Sequence, residues 1–446
     1  MKKIFYNIAA LLLITSALHA QETVYPAKEY KGLLFIKNGT VHVGNGQVLE
    51  NATIQVSNGK IVKIGQDLPI PADDVKVFDA KGKQVYPGII LPSTDLGLKE
   101  IANGVRGSND YQEIGEFNPS VRSITAYNTD SRVTNTLKAN GVLLASITPE
   151  GGIISGTSSV VQLDAWNWED AAYKPDAGVH LNLPSFISRP GRRGGFTPPA
   201  GATPGGFGAG QAPDPSKIAL ERVEQIKNFF REAKSYLDEP THKNINLKFD
   251  AVKGLFDKSK KLFVHGDQVK QMLIAIDFAK EFGFDVVIVG GSESFQIADL
   301  LKQNNIAVIL GSEHALPATE DDDVDQPYKT PAVLQKAGVL FALNDTHDES
   351  RYRNVMFNAG TASTYGLTKE EALQAITLNA AKILGVDDRT GTLEVGKDAN
   401  IVVSEGDILD MKASNVTLAI IQGRVVSLDN KQKELYERYK YKYGIK

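Results

Sequence analysis

The sequence predicts an α/β fold in which a (β/α)8 barrel of the TIM type is joined to a small β-sandwich domain formed by both chain ends. Two observations lead to this prediction. Short apolar runs separated by Asn-Gly and other Gly turns occur near both ends of the chain, and such runs are typical of antiparallel strands. Between them, apolar β-rich runs alternate with helical stretches, as in parallel βα units.

Residues 1–20 have the features of a secretory signal peptide. Lys2 and Lys3 precede the apolar run IAALLLITSAL, and LHA before Gln21 suits a signal peptidase. The apolar run is shorter than the roughly 20 residues of a transmembrane helix. We therefore expect no transmembrane segment and an exported protein, periplasmic or secreted, whose mature chain begins near Gln21.

The small β domain is predicted from two separate segments. LLFIKNGTVHVGNGQVLENATIQVSNGKIVKIG (33–65) carries repeated Asn-Gly pairs between apolar runs, which is a strong hairpin signal. GTLEVGKDANIVVSEGD and VTLAIIQGRVVSLD have the same pattern near the C-terminus. We assign residues 21–86 together with 394–430 to this composite domain. The charged, tyrosine-rich tail, residues 431–446, is predicted to form a solvated terminal helix.

The barrel is assigned to residues 87–393. Several of its apolar runs are continuous, as expected for strands covered on both faces, and amphipathic stretches such as 218–237 lie between them. Residues 189–215 are dominated by Gly and Pro and are predicted to be a disordered surface insertion, with a functional lid as the alternative. The candidate barrel strands are QVYPGIIL, GVLLASIT, SVVQLD, VHLNL, LFVHG, VVIVG, AVILG and GVLFALN.

Composition excludes several classes of function. The chain has no cysteine, so disulfides, thiolate metal sites and a cysteine nucleophile are excluded. A formal net charge of −4 gives no sign of a nucleic-acid surface. GGIISGTSS lacks the lysine of a P-loop, and EDDDVD (320–325) lacks the spacing of an EF-hand loop. A small-molecule substrate is the partner that we expect.

Three stretches carry a resemblance to a known family: KQVYPGIILPSTDLGL, TEDDDVDQPYKTPAVLQKAGVLFALNDTHDES and EEALQAITLNAAKILGVDDRTGTLEVGKDANIVV. Over nearly all of residues 33–427, apart from the insertion, the chain resembles the amidohydrolase superfamily, and in particular the imidazolonepropionase-like amidohydrolases. The resemblance implies one or two divalent metal ions, usually zinc, at the C-terminal mouth of the barrel. It also implies a metal-bound hydroxide that attacks an amide or related bond.

The resemblance also implies where the metal ligands should lie. An HxH pair after the first barrel strand corresponds here to Ser93 and Asp95, and a histidine after the sixth strand corresponds to Gly290. Serine and glycine are not useful zinc ligands, whereas a carboxylate can bind zinc. His265 and Asp345 match the positions after the fifth and eighth strands. We therefore predict Asp95, His265 and Asp345 as metal ligands, with Asp345 as the catalytic base.

Substrate contacts are less well defined. His180 lies in a candidate barrel strand and is predicted to bind substrate, with a hydrogen-bonded core histidine as the alternative. Arg351 is predicted to hold a substrate carboxylate, although Arg351 and Arg353 could equally be solvated. His347 could face the site or lie in a surface loop.

Three hypotheses for function follow. The first is a hydrolase of C–N bonds in non-peptide or cyclic amides that uses water activated by a divalent metal in an altered site. The second is a catalytically inactive barrel without metal that acts as a binding or assembly partner, as a homo-oligomer or with related amidohydrolases. The third is a metal-independent hydrolase that uses Asp345 as base, with His265 or His180 as acid or oxyanion donor.

Overall fold

The computed structural model describes residues 25–100, 110–186, 214–317, 319, 321–345 and 351–445. The predicted signal peptide and His347 lie outside these residues, as does the predicted insertion except for Asp214 and Pro215. Those two residues do not belong to a disordered segment. The Asp214 side chain accepts a hydrogen bond from the Ser216 amide at 2.9 Å and caps a helix in which Pro215 is the first residue, a position that favours proline.

Strands and helices are numbered in chain order. The strands are β1 (Leu33–His42), β2 (Val48–Ser57), β3 (Lys60–Gly65), β4 (Val75–Asp79), β5 (Gln84–Pro87), β6 (Ile89–Thr94), β7 (Val142–Ile147), β8 (Ile154–Gln162), β9 (Ala172–Asn182), β10 (Lys261–Gly266), β11 (Val286–Gly290), β12 (Ala307–Leu310), β13 (Phe341–Leu343), β14 (Ile401–Ser404), β15 (Val416–Ile421) and β16 (Arg424–Val425). The α-helices are α1 (Arg132–Ala139), α2 (Trp168–Ala171), α3 (Pro215–Asp238), α4 (Leu247–Ala251), α5 (Lys253–Phe256), α6 (Val269–Phe282), α7 (Ala298–Gln303), α8 (Gln326–Ala337), α9 (Val355–Thr364), α10 (Lys369–Ala375), α11 (Leu378–Leu384) and α12 (Lys431–Tyr443). Short 3-10 helices span Ser123–Ala126, Ser294–Ile297 and Tyr352–Asn354.

Both chain ends contribute to one sheet, whose order is β16-β15-β14-β5-β1-β2-β3, with β4 also paired to β1. The two ends meet where β5 and β14 pair in antiparallel orientation. All these strands belong to one hydrogen-bonded sheet, and β3 at its end returns to the segment before β14, where the Ile61 amide donates to the Lys397 carbonyl at 2.9 Å. Residues of β1, β2 and β3 share one apolar core with residues of β14 and β15. The β2–β3 turn has Asn58 and Gly59 at φ 49° and 76°, the left-handed conformation that an Asn-Gly hairpin turn requires.

The second sheet is the barrel, and its eight strands follow the order β13-β12-β11-β10-β9-β8-β7-β6. Each of the eight predicted apolar runs contributes one of them. The prediction that all eight are parallel is wrong for β8, which pairs antiparallel with both β7 and β9. The segments that join β8 to its neighbours contain no helix longer than α2, and a parallel crossover needs a dozen or more residues.

The first and last barrel strands approach each other closely enough for side-chain contact. The Asn344 amide, which follows β13, donates a hydrogen bond of 2.7 Å to the backbone carbonyl of Ser93 on β6. The sheet is thus nearly closed, and the carboxyl ends of β6 and β13 lie side by side. This arrangement positions the residues that follow these two strands at a common rim.

Packing of the barrel follows from the sequence pattern. Every residue of β6, β7 and β8 is buried, as expected for strands covered on both faces. Helix α3 buries one stripe at helical spacing, and its Phe230 contacts Phe278 and Phe284 edge-on, with ring centroids 5.8 and 5.2 Å apart. A separate apolar cluster forms the core of the small β domain.

The charged tail forms helix α12, which has no buried residue. It touches the barrel through a hydrogen bond of 3.1 Å from the Thr136 hydroxyl to the Gln432 side chain. No helix in the described part of the chain combines the length and apolar character that crossing a membrane requires.

A buried ionic network joins the small sheet to the barrel. Asp164, just after β8, accepts hydrogen bonds from Lys138 of α1 at 2.9 Å, Arg424 of β16 at 3.2 Å and the amide of Ala27 at 2.8 Å. The side chains of Asp164 and Lys138 are only 1% and 4% exposed. Since each buried charge has partners, the network is favourable only when it is complete.

We expect Lys138→Met to lower the free energy of unfolding by about 3 kcal/mol, because a buried carboxylate loses its closest cation. Lys31→Met is the matched control, since the Lys31–Glu29 pair is exposed and surface pairs contribute about 0–1 kcal/mol. Urea denaturation of both variants measures the difference. Equal losses in the two variants would contradict the role of the network.

A histidine also links the small sheet to the helices around the barrel. Nδ1 of His42 lies 2.6 Å from Oε1 of Glu370 in α10, and Nε2 lies 2.8 Å from Oε1 of Gln84. Burial opposes the charged imidazole, but the hydrogen bonds to Glu370 and Gln84 and the charge of Glu370 outweigh it. The pKa of His42 is therefore raised above its ordinary value of 6.5.

Because the folded pKa of His42 lies above the unfolded value, its contribution to stability is fully present below about pH 6.5 and is lost as pH rises through the folded pKa. We expect the difference in unfolding free energy between wild type and His42→Gln to shrink accordingly as pH increases. Denaturant titrations between about pH 5.5 and 9 measure it. A difference that stays constant or grows with pH would show that His42 is not charged in the fold.

Candidate active site

The carboxyl ends of the barrel strands surround a cavity of about 340 Å³. In a TIM-type barrel this is the end where active sites occur. The lining is mostly polar. It consists of Ser93, Thr94, Asp95, Thr148, Pro149, Glu150, Gly151, Asn182, His265, Val289 and Tyr352.

Asp95 follows β6 and is only 5% exposed. Its Oδ1 accepts a short hydrogen bond from the hydroxyl of Tyr352, and its Oδ2 lies 3.4 Å from Nζ of Lys99. Burial, and then the charge of Asp95, raise the pKa of Tyr352, so the phenol keeps its proton as donor. Both oxygens of Asp95 therefore already have partners within the protein.

Asp345 follows β13 and is fully buried. Its Oδ2 lies 3.6 Å from Nε of Arg351 and accepts a hydrogen bond of 3.4 Å from the Asn358 amide. Glu313, after β12, is 2% exposed. Burial raises the pKa of the Glu313 carboxyl well above its usual range, and the charge of Asp345 adds to this. The rim thus combines a carboxylate held by a guanidinium with a carboxyl group that keeps its proton.

His265 on β10 lines the cavity, and His180 on β9 lies behind it. Nδ1 of His180 is 2.8 Å from Nε2 of His265. His180 is 1% exposed and stacks on Phe263, with ring centroids 4.8 Å apart. Burial lowers the pKa of His265 to about 4, and burial followed by the charge of His265 lowers the pKa of His180. Both rings are neutral at pH 7.

The donor set does not fit a zinc ion. Within the described residues, no group of three or more His, Asp or Glu side chains is arranged to hold a metal ion. Asp95 and His265 share the cavity, but Asp345 is not part of its lining. The carboxylates of Asp95 and Asp345 have Lys99 and Arg351 as counter-charges, and Nε2 of His265 is engaged by His180.

Gly290, predicted at the strand-six ligand position, has a backbone that accepts no ordinary side chain. Its φ is 104°, and a Cβ atom would lie 2.7 Å from Oδ1 of Asp267. This left-handed conformation is open to glycine, so a histidine ligand at this position would require a different local backbone.

The predicted substrate residues take other positions. His180 does not line the cavity; it is a buried histidine hydrogen-bonded to His265, as in the alternative of a core histidine. Arg351 pairs with Asp345, and its side chain is 30% exposed. Sequence reasoning missed Lys99, Tyr352 and Glu313. For Lys99, the i,i+4 spacing from Asp95 was an available signal, whereas the contact of Tyr352 depends on the fold.

The nearly closed barrel, the second sheet built from both chain ends and the polar cavity at the carboxyl rim define the class of protein. Residues 223–426 match the model of the family described as "Amidohydrolase family". An amidohydrolase from Thermotoga maritima MSB8 is structurally similar, with a TM-score of 0.73 and 26% identity over 88% of this chain and 99% of that chain. These matches support membership of the amidohydrolase superfamily.

Among curated relatives, the chain is similar to imidazolonepropionases. The enzyme of Thermoplasma volcanium is 26% identical over 389 residues, which cover 84% of this chain and 85% of that protein. The imidazolonepropionase of Mesorhizobium japonicum is 24% identical over 371 residues, with coverage of 77% and 83%.

We expect Tyr352→Phe to lower the free energy of unfolding by about 1–3 kcal/mol, because the buried carboxylate of Asp95 loses a hydrogen-bond donor. Tyr436→Phe, at a tyrosine that is 63% exposed on α12, should change stability by less than about 0.5 kcal/mol. Urea denaturation compares the two. A Tyr352→Phe variant as stable as this control would mean that Asp95 does not depend on the phenol.

Proposed function

We propose that this chain binds a small amide-type molecule in the cavity at the carboxyl end of its barrel, without a zinc centre built from Asp95, His265 and Asp345. One observation carries the proposal. Both oxygens of Asp95, the remaining carboxylate at the predicted HxH position, are engaged by Tyr352 and Lys99.

Electrostatics support the metal-free site. An ammonium group at Oδ2 of Asp95 supplies the positive charge that a metal ion would otherwise supply, and a second cation in the same place would be repelled. Recruiting a metal would require Lys99 and Tyr352 to leave a carboxylate that is 5% exposed. Losing those contacts and desolvating the ion both oppose metal binding.

The cavity lining supports the choice of ligand. The hydroxyls of Ser93 and Thr148, the side-chain oxygen of Asn182 and the ring of His265 can exchange hydrogen bonds with carbonyl and N–H groups. A volume of about 340 Å³ lies near the lower end of small-molecule pockets. The name of the related imidazolonepropionases denotes an imidazolone ring with a propionate arm, and a compound of this kind has the matching groups.

Hydrolysis of a C–N bond in a non-peptide or cyclic amide is the second candidate. It is favoured by Glu313, whose buried carboxyl group is held protonated by burial and by the nearby charge of Asp345, since a protonated carboxyl group can act as a general acid. Asp345 also stands where the resemblance puts the proton-transferring residue of active relatives. Access to this buried pair would require movement of the rim.

Metal content and ligand binding test the proposal together. The full chain is expressed and the protein is taken from the periplasmic fraction, which also tests the proposed export. After zinc loading and gel filtration, elemental analysis should give far less than one zinc per chain. Light scattering on the same sample reports whether the chain associates with itself.

Hydantoin, N-acetyl amino acids and imidazolone propionate then serve as probes in thermal-shift and turnover assays, with and without chelator. A bound probe at 100 times its Kd should stabilise the fold by about 2.7 kcal/mol, unaffected by chelator. Thr148→Val should weaken this effect, whereas Thr417→Val on the exposed face of β15 should not. One tightly held zinc per chain with chelator-sensitive turnover would overturn the proposal in favour of a metal-dependent hydrolase.

A further inference from the structure

The hydrogen bond between His180 and His265 determines which group of His265 faces the cavity. His180 pairs with Phe263 across β9 and β10, and its ring stacks on the Phe263 ring with an interplanar angle of 4°. The stacking and the burial fix the orientation of the imidazole. Nδ1 is thereby held 2.8 Å from Nε2 of His265.

The other nitrogen of His180 decides the direction of this hydrogen bond. Nε2 of His180 is buried and has no hydrogen-bond partner among the described residues. A buried N–H group without an acceptor is rarer in proteins than an acceptor with an unused lone pair. Nε2 of His180 therefore carries the lone pair, and the proton of this neutral ring lies on Nδ1.

The proton on Nδ1 of His180 is donated to Nε2 of His265, which must then be the unprotonated nitrogen of that ring. The proton of His265 lies on Nδ1. This atom has no hydrogen bond within the described residues and is not one of their buried unpaired atoms, while His265 itself lines the cavity. Its N–H group is consequently accessible to a ligand.

We infer that His180 is a positioning residue that fixes the tautomer of His265, so that the cavity offers a neutral Nδ1–H donor to an acceptor oxygen of the bound molecule. The ligand part of this inference rests on the proposed function, and the tautomer part does not. The oxygen that fits is a carbonyl or carboxylate oxygen, because a neutral N–H donor has no use for a ligand N–H group at this position.

Long-range ¹H–¹⁵N correlation spectra of the histidine-labelled protein test the tautomer directly, because protonated and unprotonated ring nitrogens differ strongly in ¹⁵N shift. The chain has seven histidines, and single His→Gln variants assign the signals. Both His180 and His265 are expected to carry their proton on Nδ1. A wild-type spectrum with the proton of His265 on Nε2 would overturn the inference, whatever the variants do.

Two substitutions separate positioning from simple packing. His180→Gln retains an N–H donor and should keep His265 predominantly in the Nδ1–H form, whereas His180→Leu removes the donor and should convert it predominantly to Nε2–H. His242→Leu, at a histidine stacked on Tyr236 in a different part of the chain, should leave the signals of His265 unchanged. An unaltered His265 in His180→Leu, with melting behaviour like the wild type, would contradict the role of His180.

A hydantoin titration on the same spectra addresses the ligand. The expected result is a shift of the His265 Nδ1–H signal that saturates with hydantoin and is lost in His180→Leu. Saturable hydantoin binding by thermal shift without any change at His265 would overturn the ligand part. Absence of hydantoin binding by both methods would count against the proposed function, and the tautomer would still be decided by the spectra without ligand.

Discussion

A carboxylate that is buried at the rim of a barrel must be met by positive charge or by hydrogen-bond donors, since an isolated buried charge costs several kcal/mol or more. Asp95 and Asp345 are both in this situation, at 5% and 0% exposure. A metal ion and protein cations are alternative ways to meet the requirement. In this chain Asp95 is contacted by Lys99 and Tyr352. Asp345 is contacted by Arg351 and Asn358.

The other residues at the rim have conformations and partners that are compatible with these counter-charges. Nε2 of His265 pairs with Nδ1 of His180, and burial lowers the pKa of both rings. After β11, the backbone at Gly290 has a positive φ of 104°, a conformation that favours glycine. The serine at position 93 hydrogen bonds with Thr148 at 3.3 Å and contributes its carbonyl to Asn344. The altered positions are therefore consistent with one another.

The positions of the barrel strands could be predicted from the sequence, whereas the direction of β8 could not. Continuous apolar runs identified all eight barrel strands because burial on both faces leaves a clear pattern. The run SVVQLD covers the end of β8 and the two residues after it. Its apolar pattern is the same for a parallel and for an antiparallel strand. Its antiparallel orientation is set by the lack of a crossover helix beside it. Asn-Gly pairs identified the small sheet, whereas its continuity through β5 and β14 depends on contacts far apart in the chain.

The candidate site was predictable only in part for a related reason. Asp95, His265 and Asp345 follow strand ends, so their place at the rim follows from topology. Which of them meet depends on side-chain partners such as Tyr352, which lies 257 positions after Asp95. A ligand set inferred from strand ends alone assumes that these side chains turn toward one point. Here Asp345 turns to Arg351, and His265 turns to His180.

In the part of the chain that the structure describes, several buried polar atoms at the carboxyl rim lack partners, unlike two buried carboxylates at the amino end. At the amino end, the carboxylate of Asp398 has Tyr173, Arg389 and Lys60 as partners, and Asp164 is equally well served. At the carboxyl end, Nε2 of His180, Oδ1 of Asn344 and Oε2 of Glu313 have no partner among the described residues. Unpaired buried polar atoms cost stability and are retained in native proteins mainly at functional sites. The unpaired atoms of His180, Asn344 and Glu313 therefore support a binding role for the carboxyl rim.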